Sequence, residues 1–130
     1  MLSISPVYSS LLIALIVFLA YRVTLFRRGE GIALGDATAS NAMKRAVRAH
    51  ANATENIPAS LILLLMLELN QLTPWLLHLF GVVLLVGRFA HAWGLSRRTG
   101  PSKGRFYGTS LTWLCLACML VVNLLLVLTR

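Results

Sequence analysis

Four long apolar segments, separated by short links, decide which solvent this chain can fold in. They lie at about residues 7–26, 41–70, 74–97 and 105–128. A helix needs about 20 residues to cross a hydrocarbon core of about 30 Å. Hydrophobic residues make up 58% of the 130, and the mean hydropathy is +0.77. A soluble domain of this size cannot bury so much apolar surface. The expected fold is therefore all-α: an integral membrane four-helix bundle, one domain over residues 1–130. Short links make neighbouring helices antiparallel.

Local signals fix the ends. Pro6 suits a helix start, with Ser5 as its cap, and Thr73 with Pro74 repeats that pattern for the third helix. The first segment lacks a positive leader and a small-residue cleavage site, so it reads as a retained span. Gly29, Gly31, Gly35 and Asp36 mark a turn-rich link. The second helix starts near Ser40 or Asn41. At 1.5 Å per residue it is about 45 Å long, more than a bilayer core requires. Its polar first half should project from the membrane or line a cleft. Pro58 removes one backbone donor and is expected to kink it. Gly81, Gly87 and Gly94 thin the third helix and permit close packing.

The formal net charge is +8. Arg22, Arg27, Arg28, Lys44, Arg45, Arg48, Arg88, Arg97, Arg98, Lys103 and Arg105 all fall at or near one membrane side. The link between helices two and three has no Lys or Arg, and only Arg130 lies at the far side. The positive-inside rule puts the first and third links in the cytoplasm and both termini on the far side. Charge placed this way meets lipid headgroups rather than nucleic acid, and no nucleic-acid partner is expected.

The polar head of the second helix carries the chemistry. Arg48, Asn52 and Glu55 stand at i, i+4 and i+7, within about 60° on one helical face. Lys44 and Arg45 extend the stripe, and His50 points roughly 160° away, at a packing position. Ionisable groups at membrane depth default to a functional reading. Arg48 can fork onto a carboxylate, Asn52 offers donor and acceptor, and Glu55 can accept from an ammonium or an arginine. The set suits a small zwitterion with several carboxylates. It equally suits an internal salt-bridge network holding the bundle. On the third helix, Arg88 and His91 stand at i and i+3. Arg88 needs a buried partner, and Glu55 is the expected one.

Other motifs are weaker. The loop before the fourth helix offers Lys103, Arg105 and Tyr107, a set that a solvated basic turn also explains. Cys115 and Cys118 have C-x-x-C spacing, but a thiolate in mid-membrane is disfavoured, so both read as packing residues. There is no metal-ligand cluster, Ser/His/Asp arrangement or Gly-rich phosphate loop. A proton-coupled exporter would need an ionisable group inside a span, and the first span has none before Arg22.

Taken together, Arg48-Ala-His50-x-Asn52-x-x-Glu55, then Pro58 and an apolar run, Arg88-x-x-His91, and Pro101-x-Lys103-x-x-x-Tyr107 resemble the MAPEG family. These are the membrane-associated proteins in eicosanoid and glutathione metabolism, and the likeness is to the small bacterial members. It covers nearly the whole chain. The resemblance implies a homotrimer in a bacterial inner membrane that binds glutathione in a cleft between subunits. A lipophilic electrophile or hydroperoxide would arrive from the membrane lipid. It implies a glutathione transferase or peroxidase, with a non-catalytic protein on the same scaffold as the alternative. It places Arg48, Asn52, Glu55, Arg88, His91 and Tyr107 at glutathione-binding positions, with Arg22 completing the site. Lys103 is the best-aligned residue to stabilise the thiolate, with Arg105, Arg97 or Arg98 as substitutes. Two departures stand out. Leu95 lies where many members have tyrosine, and Lys103 lacks the planar fork of the family's arginine.

Overall fold

The structure is a computed structural model and describes residues 3–129. Those residues form four helices and no strand: α1 (Ser5–Glu30), α2 (Asn41–Leu69), α3 (Pro74–Arg97) and α4 (Lys103–Leu128). Three of them, α1, α3 and α4, are long and apolar enough to cross a membrane. The exception is α2, whose first half carries Lys44, Arg45, Arg48 and Glu55.

Cross-helix hydrogen bonds show the topology. At one end Glu68 of α2 meets the start of α1, Tyr8 of α1 meets His78 of α3, and Asn70 meets Asn123 of α4. At the basic end Arg22 of α1 and Arg45 of α2 both reach Ser96 of α3. The bundle therefore runs up, down, up, down. Both α2 and α3 pack on all three other helices, whereas α1 and α4 do not pack on each other. The section is a diamond, with α2 and α3 on its short diagonal; the first half of α2 buries Met43, Ala46, Ala49 and Ala53 and leaves Arg48 and Glu55 exposed.

Burial is inverted relative to a soluble bundle. Only 17% of the most apolar stretch of α1 and of α4 is buried, against 44% for α3. Phe18, Trp75, Trp113 and Leu124 stand outward. Apolar flanks of this extent need lipid as their solvent. Inside, Leu12, Leu19, Ile57, Leu64, Leu84 and Met119 are fully enclosed.

The helix ends differ in detail from the sequence reading. Ser5 does not cap α1; the cap position is Ile4, which offers no side-chain acceptor. Glu68 serves instead, taking the backbone N–H groups of Ser3, Ile4 and Ser5 at 2.7, 2.9 and 2.7 Å, together with the Ser5 hydroxyl. A carboxylate there satisfies orphan donors and meets the positive end of the helix dipole. Thr73 holds the cap position of α3 without a side-chain bond. Ser40 and Ser102 do cap α2 and α4, accepting from the N–H groups of Met43 and Arg105. α1 continues past residue 26 to Glu30 and stops at Gly31, whose φ of 67° is left-handed. α2 remains helical through Pro58.

Because one carboxylate closes α1 onto α2, Glu68→Ala should destabilise the bundle by about 1–2 kcal/mol, in the range of a lost cap. Thermal unfolding in detergent, followed by circular dichroism, checks this. An unchanged midpoint would mean that water serves these amides equally well.

At the basic end α3 and α4 touch through backbone. A Cβ on Gly108 would lie 2.6 Å from both Gly87 O and His91 N. One on Gly94 would lie 2.8 Å from Arg105 N. This close approach fixes one wall of the cleft that opens at that end.

Candidate functional site

One hydrogen-bond chain joins α2, α3 and α4 near the basic end. Arg88 is 3% exposed, so its guanidinium must find partners inside the bundle. Its Nη1 donates to Asn52 Oδ1 at 2.8 Å and its Nε to Thr112 Oγ1 at 2.9 Å. The Thr112 hydroxyl donates in turn to Gly108 O at 2.8 Å. The expected Arg88–Glu55 pair is not formed. Asn52 lies three residues, about one helical turn, before Glu55 and takes the bond, while Glu55 is exposed. Among the described residues Glu55 has no hydrogen-bond or ion-pair partner.

This chain orients Asn52. Arginine has only donors, so the amide must turn its oxygen toward Arg88. The Asn52 nitrogen is left as a donor toward the open side.

On that side lies a cleft in two lobes that share Asn52, His91, Thr99 and Arg105. The smaller lobe, of about 290 Å³, adds Lys44, Arg45, Arg48 and Leu95. The larger, of about 670 Å³, runs along the start of α4 past Phe106, Thr109 and Trp113. One lobe is cationic; the other has an aromatic flank on the outer face. Among the described residues no carboxylate lines either lobe.

The acidic residues are placed elsewhere. Glu30 holds the Ser40 cap and Glu68 holds the start of α1. Asp36 lies in the link between α1 and α2, and Glu55 is outside the cleft. Some of the cations are partly engaged. Arg45 donates to Ser96 O at 3.2 Å, Lys44 to Ala37 O at 3.3 Å, and Arg105 to Gly100 O at 3.1 Å. Arg48 is exposed in the smaller lobe and has no partner among the described residues. The salt-bridge network that the sequence also allowed is not built within the described residues.

The fold thus gathers Arg48, Asn52, His91 and Arg105 around one space, with Arg88 directly behind it. Four other sequence candidates, Glu55 among them, lie elsewhere in the single chain. Arg22 ties α1 to α3 through the Ser96 hydroxyl at 2.7 Å. Lys103 borders a separate cavity with Trp93, Arg97 and Arg98. Tyr107 is exposed beside Phe106. Leu95 is buried in the wall of the smaller lobe, where it brings no polar contact. Cys115 is buried and Cys118 exposed, both as free thiols.

Thr112 was not legible as a site residue. Its one signal is a hydroxyl in the middle of an apolar helix, one turn beyond Gly108. Glu68, the other miss, is the sole acid in an otherwise apolar run.

Comparison with protein families matches residues 5–125 to the MAPEG family. The chain belongs to that family. Within it, the chain is 35% identical over 121 residues to the inner membrane protein YecN of Escherichia coli strain K12. The match covers 93% of this chain and 90% of the relative. The same figures hold for YecN of Escherichia coli O6:H1 strain CFT073. This MAPEG chain is accordingly an integral membrane protein.

Proposed function

We propose that this MAPEG protein is a membrane-bound, glutathione-dependent transferase or peroxidase acting on lipophilic electrophiles or hydroperoxides. The observation that supports it is the uncompensated cationic lobe around Arg48 and the oriented Asn52 amide. An anionic peptide with paired carboxylates supplies what that lobe lacks. Arg48 and Arg45 take the carboxylates, charge-assisted and in part bidentate. The Asn52 nitrogen donates to a peptide oxygen, and Arg88 keeps it facing that way.

The ligand's ammonium needs an acceptor, and Glu55 is the free carboxylate nearby in sequence. Glu55 and Tyr107 are exposed outside the chain's own cleft, which is where a neighbouring subunit of a homotrimer would use them. Arg22 has the same role available from α1 of a neighbour. We place the site near the cytoplasmic side, following the charge bias of the links.

In the chemical step, the thiol proton passes to solvent water and a cation holds the thiolate. Arg105 borders the cleft and is better placed than Lys103. The sulfur then attacks an electrophilic carbon, and the leaving group departs with the bonding electrons. The aromatic flank of the larger lobe, Phe106 and Trp113, faces the side from which an apolar substrate arrives.

The test is a glutathione titration of the purified protein in detergent, read by heat and by thiolate absorbance in the ultraviolet. Binding with thiolate absorbance at neutral pH is expected. Binding without it supports the non-catalytic alternative, and no binding at millimolar glutathione overturns the reading. In the same assay Arg48→Ala should weaken binding about tenfold or more, the loss of one charge-assisted contact. Its melting temperature should not change, because Arg48 has no hydrogen-bond or ion-pair partner among the described residues. Unchanged affinity would remove Arg48 from the site.

A further inference from the structure

A second basic cavity lies across the α3–α4 contact from the glutathione cleft. It measures about 380 Å³ and is bordered by Arg97, Arg98, Lys103, Ser102 and Trp93. Among the described residues its lining includes no carboxylate. Arg98 and Lys103 have no hydrogen-bond or ion-pair partner among the described residues. Arg97 lies with its guanidinium carbon 4.3 Å above the Trp93 ring, which holds the charge in place without neutralising it. Trp93 itself is 61% exposed, as an aromatic side chain at a membrane–water boundary commonly is.

The cavity has an apolar neighbour. Trp93 also borders a groove of about 270 Å³ between α1 and α3. The walls of that groove are Leu15, Phe18, Leu19, Phe89 and Ala92, with Arg22 and Ser96 at its basic end. From Arg22 to Leu15 is about 10 Å along the helix. A cationic pocket at the membrane edge thus opens beside an apolar channel running toward the membrane centre. The order of cations, interfacial ring and apolar wall is complementary to the phosphate, glycerol ester and acyl chain of a phospholipid.

We propose that this pair of cavities binds one anionic phospholipid. Its phosphodiester sits among Arg97, Arg98 and Lys103, and one acyl chain lies in the α1–α3 groove past Trp93. Free phosphate shares the headgroup chemistry but leaves the groove empty. The Trp93 ring shared by the cationic cavity and the apolar groove favours the lipid. The site lies on the α1–α3–α4 side of the chain; it shares Ser102 with the rim of the glutathione cleft, and it engages Lys103 and Arg22, which the glutathione reading also names.

The test uses a variant in which Trp93 is the sole tryptophan, with Trp75→Phe and Trp113→Phe. Both replaced rings are exposed. Phosphatidylglycerol with brominated acyl chains is titrated into the protein in nonionic detergent. Phosphatidylcholine with the same chains serves as the zwitterionic comparison. Trp93 fluorescence should be quenched at about tenfold less phosphatidylglycerol, the preference expected from two or more cations near a phosphate. Arg97→Gln with Arg98→Gln should erase that preference. Equal quenching by the two lipids, or a preference that survives the double substitution, overturns the proposal. Displacement by millimolar inorganic phosphate would replace it with a small-anion site. Should the tryptophan exchanges destabilise the protein, native mass spectrometry of the otherwise unaltered chain makes the same distinction. It would compare retained phosphatidylglycerol with and without Arg97 and Arg98.

Discussion

Asn52→Leu should cost the fold about 1.5–3 kcal/mol, the range for losing a hydrogen bond to a charged group. The cause lies behind the cleft. Arg88 donates to Asn52 and Thr112, and leucine removes the first of those acceptors from a guanidinium that water barely reaches. Glutathione affinity should fall in the same variant, because the outward amide donor goes with the inward acceptor. Asn52→Asp separates the two effects. It gives Arg88 a carboxylate and should leave the melting temperature at or above the parent's. It also puts a negative charge on the cleft wall and should still abolish binding of an anionic peptide. Thermal unfolding and the glutathione titration, run on both variants, check this. Equal melting of Asn52→Leu and the parent would mean that the Arg88 bond carries no stability.

Gly108→Val should be the more damaging change for folding. The first added carbon would sit 2.6 Å from two backbone atoms of α3, and no rotamer relieves that contact. The helices must part, at a cost of about 1–3 kcal/mol or more for overpacking. Parting them also displaces His91 and the carbonyl that accepts from the Thr112 hydroxyl. Gly29→Ala is the control, since a Cβ there meets nothing within 4 Å. Size-exclusion profiles and melting curves should show Gly108→Val aggregated or strongly destabilised and Gly29→Ala unchanged. A Gly108→Val protein that melts like the parent would show that α3 and α4 can separate freely.

Much of this architecture was legible in the chain. Four apolar runs and their punctuation marked four helices close to their observed bounds, because length and hydropathy are local properties. The stripe on α2 was legible for the same reason: helical spacing alone brings Arg48 and Asn52 onto one face. Partners across helices were not legible. Arg88 pairs with Asn52 rather than Glu55 because the register of α2 against α3 is set by packing, including backbone contact at glycines, and a shift of one turn exchanges one acceptor for another. The capping of α1 by Glu68 was hidden likewise, since donor and acceptor are more than sixty residues apart. Lys103 looked equivalent to Arg105 in the loop. Two positions apart at the start of a helix, they point about 200° apart, and so border different cavities.

The Arg88–Asn52 bond also bears on how the protein enters its membrane. A lone arginine near the middle of a nascent span is expensive for the insertion machinery to release, by about 2.5 kcal/mol or more. The polar head of α2 makes that helix a poor substrate for release by itself. The link from Asn70 to Thr73 is only a few residues long, so the two helices emerge from the ribosome in immediate succession. Paired as a hairpin, α2 gives Arg88 its Asn52 acceptor, while the second acceptor, Thr112, follows with α4. The bond that shapes the cleft in the finished protein is thus also one that two helices adjacent in sequence can form with each other as soon as both have been made.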